Sequence, residues 1–229
     1  MTHPTRPHRN FYGRLKGKHL KDSQKGYLEE DLAELSPGAV SWDENPARDD
    51  LDLGALFDGR DVWLEVGFGG GEHVIHQAGA NAQVGIIGCE PYINGVAMLL
   101  GKVRQANVDN LRIYPGDVRD LFDVLPAQSI AKAFLLYPDP WPKARHHRRR
   151  FVTPEHLQPL AQVLKAGAEF RVATDIPDYV RQTLEEVPLA GFDLVRDTGV
   201  AWDDWISTRY EQKALREGRT PHYLTFRKT

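Results

Sequence analysis

The sequence predicts an α/β chain, a doubly wound and mostly parallel seven-stranded sheet with helices on both faces, and two observations lead there. From Asp61 onward, short β-rich runs alternate with helical patterns, and the runs are apolar throughout instead of switching between apolar and polar residues. Strands of that kind are buried on both sides, which calls for parallel strands joined by crossover helices. The runs are residues 62–66, 84–89, 111–114, 131–137 and 169–174, with two later candidates at 192–196 and 223–227. Between the second and third, Ile93, Val96, Ala97 and Leu100 recur at helical spacing. Leu157, Leu160, Ala161 and Leu164 do the same between the fourth and fifth. Thr153 and Pro154 read as the cap and first position of that second helix, and Pro177 opens another.

Composition narrows the class. With 229 residues, 41% of them hydrophobic, the chain supports one well-packed domain, placed at residues 26–229. Before it, residues 1–25 form a basic arm: Arg6, Arg9, Arg14, Lys16, Lys18, Lys21 and Lys25 face a single acid, Asp22. Its glycines and charges read as a flexible segment unless a partner holds it. A net charge of −3 excludes a globally basic coat protein, so any site for a polyanion is local. The single cysteine, Cys89, sits in an apolar run and has no partner for a disulfide, which points to a reducing compartment. Neither a membrane-length apolar stretch nor a secretory leader is present, so the expected location is cytoplasmic. Without cysteine pairs or a His-x-x-x-His spacing, no metal is expected, and His146 and His147 read as polar surface.

In open α/β sheets, ligands collect beyond the carboxyl ends of the strands, where the strand order reverses. The polar motifs fall there. After the first run comes Glu65-Val66-Gly67-Phe68-Gly69-Gly70-Gly71-Glu72, a turn that lets a ligand approach the backbone closely. A dinucleotide fingerprint would place glycine where Glu72 stands, and an acid at a helix start, with Glu65 before the turn, repels a pyrophosphate. A phosphate-free cation suits such a pocket, and S-adenosylmethionine is one. Glu90, ending the second run, suits ribose hydroxyls in either an NAD or an S-adenosylmethionine site. Asp117, after the third, is either an acceptor for an adenine amino group or a turn aspartate.

The fourth run leads into Tyr137-Pro138-Asp139-Pro140-Trp141-Pro142, followed by Lys143, Arg145, Arg148, Arg149 and Arg150. Flanking prolines stiffen the backbone at Asp139 and preset its side-chain direction. A preset acid beside a cationic run suggests work on a base whose phosphates the cations neutralise. Trp141 is either a stacking platform or packing. Arg149 and Arg150 read equally as the loop before the next helix, and Asp175, ahead of Pro177, equally as a helix cap. Trp202 and Trp205 are expected to pack a late segment onto the sheet.

These motifs resemble the tRNA (guanine-N7)-methyltransferases of the class I, Rossmann-like, S-adenosylmethionine-dependent fold. The aromatic-Pro-Asp-Pro-Trp stretch with its basic tail, the Thr174-Asp175 pair and Thr208-Arg209-Tyr210-Glu211 carry the likeness, which spans about residues 9–229. Tyr137 stands where phenylalanine is commoner. The resemblance implies an antiparallel last strand and transfer of a methyl group to N7 of a guanosine in tRNA, in the variable loop. Glu65, Gly67, Gly69, Gly71, Glu90, Asp117 and Asp139 would hold S-adenosylmethionine, with Asp139 also the catalytic residue. Lys143, Arg145, Arg148, Arg149, Arg150, Asp175, Thr208, Arg209, Tyr210 and Glu211 would meet the tRNA. Either a monomer or a homodimer is compatible with the sequence. The competing readings are a methyltransferase with another acceptor, a pyridine-nucleotide oxidoreductase and a non-catalytic RNA-binding module.

Overall fold

In the computed structural model, which describes residues 4–229, seven strands form one sheet in the order β3-β2-β1-β4-β5-β7-β6. The strands are β1 (Asp61–Val66), β2 (Val84–Cys89), β3 (Leu111–Tyr114), β4 (Ile130–Leu136), β5 (Leu164–Thr174), β6 (Phe192–Thr198) and β7 (His222–Lys228). From β1 to β5 all pairings are parallel, whereas β7 runs antiparallel between β5 and β6. The antiparallel last strand is therefore present. Successive strands build outward from β1 to β3, then the chain returns to lay β4 on the other side of β1. That reversal opens a crevice above the carboxyl ends of β1 and β4.

Helices α1 (Asp22–Glu30), α2 (Leu53–Leu56), α3 (Glu72–Ala80), α4 (Ile93–Val103), α5 (Val118–Phe122), α6 (Pro154–Val163), α7 (Pro177–Leu189) and α8 (Arg209–Arg216) surround the sheet. Side-chain alternation along β2 explains why its run is apolar throughout. Val84 and Ile86 face Val74 of α3 and Leu99 and Leu100 of α4, while Ile87 and Cys89 face the core shared with α5, α6 and α7. Leu64, in the centre of β1, is completely buried, a contribution of about 1.5–3 kcal/mol for a side chain of its kind. The Cys89 thiol donates to the carbonyl of Gly116, and burial pushes it up well above its ordinary value.

One boundary differs from the sequence reading. Leu164, expected as the last apolar position of α6, is the first residue of β5 and pairs with Ile130. The strand then shifts register, with Gly167 in the left-handed region (φ 78°), before resuming at Glu169. Periodicity cannot separate a last helical residue from a first strand residue when no loop intervenes. Trp202 packs the segment ahead of α8 onto β4, β5 and β7, and its Nε1 donates to Thr225 Oγ1 at 2.9 Å. Among the described residues, no helix is long and apolar enough to cross a membrane.

Gly85 of β2 lies under the ring of Phe57, and a Cβ there would meet ring atoms at 2.3 Å. Gly85→Ala is expected to lower unfolding free energy by about 1–3 kcal/mol in urea titration, with Phe57→Leu in the same chain restoring part of it. An unchanged stability would show that the ring has room to move.

Candidate active site

The crevice is a cleft of about 730 Å³. Its floor is the glycine turn between β1 and α3, where Gly67, Gly69 and Gly71 all adopt left-handed backbone (φ 70°, 56° and 77°). Space also demands glycine, since a Cβ on Gly71 would strike Leu99 at 2.6 Å and one on Gly95 would strike the Gly69 carbonyl at 2.2 Å. Four amides of this turn are engaged within the protein. Gly67 N and Phe68 N donate to Cys89 O, Gly71 N donates to Phe68 O, and Gly69 N donates to Glu90 Oε2 at 2.7 Å. Glu90 Oε1 accepts from Tyr92 N at 2.8 Å, so the backbone fixes this carboxylate at both oxygens. Burial pushes Glu90 up to about 7, even with two amide donors, and the negative charge of Asp139 adds to the rise.

Asp117 caps the start of α5 and also lines the cleft. Arg119 grips it through Nε at 3.0 and 3.1 Å and through its own amide at 3.0 Å. Burial works to raise the Asp117 carboxyl, but the Arg119 hydrogen bonds outweigh it and hold the group below its ordinary value. Asp139 opens into the cleft, raised by desolvation from the surrounding walls and opposed by the charge of Arg14. Of the three residues that precede prolines in this stretch, Tyr137 (φ 49°) and Trp141 (φ 41°) are left-handed and Asp139 is not. That is a cost of about 1–3 kcal/mol each, borne at the mouth of the cleft.

Several expected residues lie elsewhere. Glu65 is behind the turn, 2% exposed, with one oxygen 2.6 Å from His73 Nδ1, and it does not line the cleft. It borders a small second recess with Thr208 and Tyr210. Glu72 is not a free repulsive charge: Arg209 Nε donates to it at 3.0 Å and Lys102 Nζ stands 3.5 Å away. Burial works against ionisation there, yet these cations hold the Glu72 carboxyl below its ordinary value. The repulsion expected from Glu72 is thus largely neutralised, and Glu65 is set back from the cleft. What works against a pyrophosphate on the turn itself is that the amides of Gly67, Phe68, Gly69 and Gly71 are already engaged within the protein.

Asp175 is buried and bonded by Arg219. It is not the helix cap, since Ile176 holds that position. Thr208 caps α8, and Glu211 is buried, accepting from Trp205 Nε1 at 3.0 Å and from the Tyr223 hydroxyl. Tyr210 reaches the cleft and covers Gly69. The basic run forms a 3-10 turn, Ala144–Arg149, with Lys143 and Arg145 exposed and Arg148 and Arg149 lining the cleft. Arg150 is a correction: it is 1% exposed, and its guanidinium donates to Pro140 O, Asp178 Oδ2 and Gln182 Oε1 at 2.8–2.9 Å. The turn ends at Arg150, which points inward and offers no face to a phosphate.

The residues that sequence reasoning missed come mainly from the arm. Asn10, Phe11, Tyr12, Gly13 and Arg14 line the cleft. Arg9 forms a bidentate pair with Asp123 at 2.6 and 2.7 Å, Arg119 Nη2 donates to Asn10 O at 3.0 Å, and Ile93 N donates to Leu15 O at 3.0 Å. Phe11-Tyr12 amid basic residues was the available signal. Phe151 and His156 also line the cleft, their rings 5.0 Å apart. Among the described residues no cluster of His, Cys, Asp and Glu is placed to hold a metal ion.

This fold and this site define a Rossmann-like methyltransferase. A 16S rRNA methyltransferase, KamB, superposes with a TM-score of 0.58 at 18% identity, covering 79% of this chain and 94% of its own. A family model described as "Putative methyltransferase" matches residues 59–224. A tRNA (guanine-N(7)-)-methyltransferase of Ruegeria pomeroyi is 73% identical over 99% of this chain and 98% of its own length. The protein of the same name from Brucella melitensis is 45% identical over 98% and 97%. The chain belongs to the tRNA (guanine-N7)-methyltransferase family.

Neighbouring arginines are expected to behave oppositely. Arg150→Ala should lower unfolding free energy by about 2–4 kcal/mol, because Gln182 and Asp178 lose their donor, while Arg148→Ala should change it by less than about 0.5 kcal/mol. Equal small losses in urea titration would contradict the buried role.

Proposed function

We propose that this protein transfers the methyl group of S-adenosylmethionine to N7 of a guanosine in tRNA. One observation carries the reading: Asp139 and Glu90 line one cleft, close enough for the charge of one to act on the other, beside a glycine turn four of whose amides are engaged within the protein. The donor set fits a phosphate-free nucleoside. Glu90 is placed for two ribose hydroxyls, Asp117 with Phe151 and His156 for the adenine end, and the turn for close approach of the amino-acid portion. When bound, S-adenosylmethionine supplies an electrophilic methyl group on a positively charged sulfur.

Guanine N7 carries a free lone pair, so no side chain has to remove a proton. The residues therefore act by alignment and by electrostatics. Asp139 accepts from guanine N1–H and the 2-amino group, fixing the ring edge and favouring the form in which the ring is cationic. Burial raises both carboxyls, and the charge of Asp139 adds to the rise at Glu90, so positive charge entering the cleft favours their ionised forms. Lys143, Arg145, Arg148 and Arg149 meet tRNA phosphates at the rim, a role that tolerates sequence and depends on salt. Asp175, Thr208 and Glu211 act from behind the wall: Thr208 and Glu211 set the start of α8 and hence Tyr210, and Asp175 anchors Arg219 after that helix. A guanosine in the variable loop is the target that the family likeness favours.

Incubation with methyl-labelled S-adenosylmethionine and unmodified tRNA, followed by nucleoside digestion, should yield label in 7-methylguanosine; label in another nucleoside, or none, refutes the reading. Asp139→Asn should lower kcat roughly 100-fold or more while the tRNA Kd moves less than about twofold. Because Glu90 is raised by burial to about 7, its neutral form favours the fold below that pH and this contribution is lost as pH rises through it. Ribose binding needs the carboxylate, so affinity for S-adenosylhomocysteine should rise from about pH 6 to about pH 8. The same titration on Glu90→Gln should be flat, and a persistent slope would move the titrating group elsewhere.

A further inference from the structure

We propose that Tyr12 and Trp141 form an aromatic cage for a planar cation, occupied by the Arg149 guanidinium in the free protein and by the methylated guanine once the methyl group has moved. The inference rests on the methyl transfer proposed above and goes further by naming residues that sense the charge of the product.

Three observations place the cage. Arg149 Cζ lies 4.6 Å from the centre of the Tyr12 ring and 5.0 Å from that of Trp141. The two rings are 6.5 Å apart at 77°, so they make a corner with the guanidinium in it. The Nε of Arg149 is buried with no hydrogen-bond partner among the described residues, whereas its neighbour Arg150 has Asp178 and Gln182. Aromatic faces thus compensate the Arg149 charge on the side where Nε has no hydrogen-bond partner. Like charges crowd it too: burial and then Arg149, Arg145, Lys143 and Arg148 hold the His146 imidazole below its ordinary value.

A guanidinium held this way is ready to be exchanged. A tRNA phosphate offers charge-assisted hydrogen bonds that an aromatic face cannot match, so Arg149 turns to the phosphate and leaves the corner open. Tyr12, Trp141 and Asp139 line one cleft, and Trp141 is two residues from Asp139. The incoming guanine is neutral. The N7 lone pair forms the new bond to carbon, the electron pair of the old carbon–sulfur bond stays on sulfur, and the positive charge passes to the purine ring with no proton released. A planar, delocalised cation then lies against the π faces that had held another. Attraction between cation and ring grows as the charge develops, so part of it acts in the transition state and all of it in the product.

The test compares two tRNA preparations that differ only in the N7 methyl group, bound to the full chain loaded with S-adenosylhomocysteine. Wild-type protein should bind the methylated tRNA roughly 3- to 30-fold more tightly than the unmodified one. Tyr12→Phe, which keeps a π face, should retain that ratio. Tyr12→Leu should bring it close to unity, because its loss falls mainly on the methylated tRNA. A wild-type ratio of one, or a Tyr12→Leu loss that is equal for both tRNAs, overturns the cage. Either result leaves the formation of 7-methylguanosine untouched, so the two proposals fail separately.

Discussion

The hydrogen bond from Gly69 N to the buried Glu90 carboxylate is the constraint from which the site follows. It ties the turn after β1 to the end of β2, and glycine accepts at no steric cost the left-handed backbone that brings amide and carboxylate together. The same bond fixes the acid proposed to face a ribose and uses an amide that a phosphate would need. A cleft with acids on its walls and four turn amides already engaged suits the proposed ligand, a nucleoside with positive charge and no diphosphate. That fit arises from donor engagement rather than from repulsion, because Glu65 is set back from the cleft and because Arg209 and Lys102 cover Glu72.

Most of the fold was legible because strands buried on both faces leave an unbroken apolar run, as in Val84–Cys89, whose ends the structure reproduces residue for residue. Helix α1 was not legible. Asp22–Glu30 is polar, buries no residue and leans on α4 through Tyr27 and Leu28. Within the site, the acids at strand ends were readable from position alone, since topology dictates where those ends converge. Their partners were not. Arg119 beside Asp117 is two residues away, but Arg219 on Asp175 is 44 residues away and Arg209 on Glu72 is 137 away. The fates of Arg149 and Arg150 diverge because one 3-10 turn ends between them, a change of direction that composition does not encode.

The arm and the stretch from Tyr137 to Trp141 complete the cleft from opposite sides. Arg9 on Asp123 anchors one end of the arm, and Asn94, which accepts from Gly17 N and donates to Lys18 O, anchors the other. Between these anchors Tyr12 and Arg14 face Trp141 and Asp139. The left-handed Tyr137 and Trp141 give those side chains directions that an extended pre-proline backbone would not. Local strain, a short strap of chain and a run of cations thus meet at one lip, where an RNA base and its phosphates would arrive together.

Calorimetric titration with S-adenosylhomocysteine and with NADH, side by side, tests the central claim most directly. The engaged glycine turn predicts saturable binding of the first and no detectable binding of the second, and a Glu90→Ala chain that binds the first much more weakly. Saturable binding of NADH in competition with S-adenosylhomocysteine would contradict the account, since it would require the turn to hold a diphosphate.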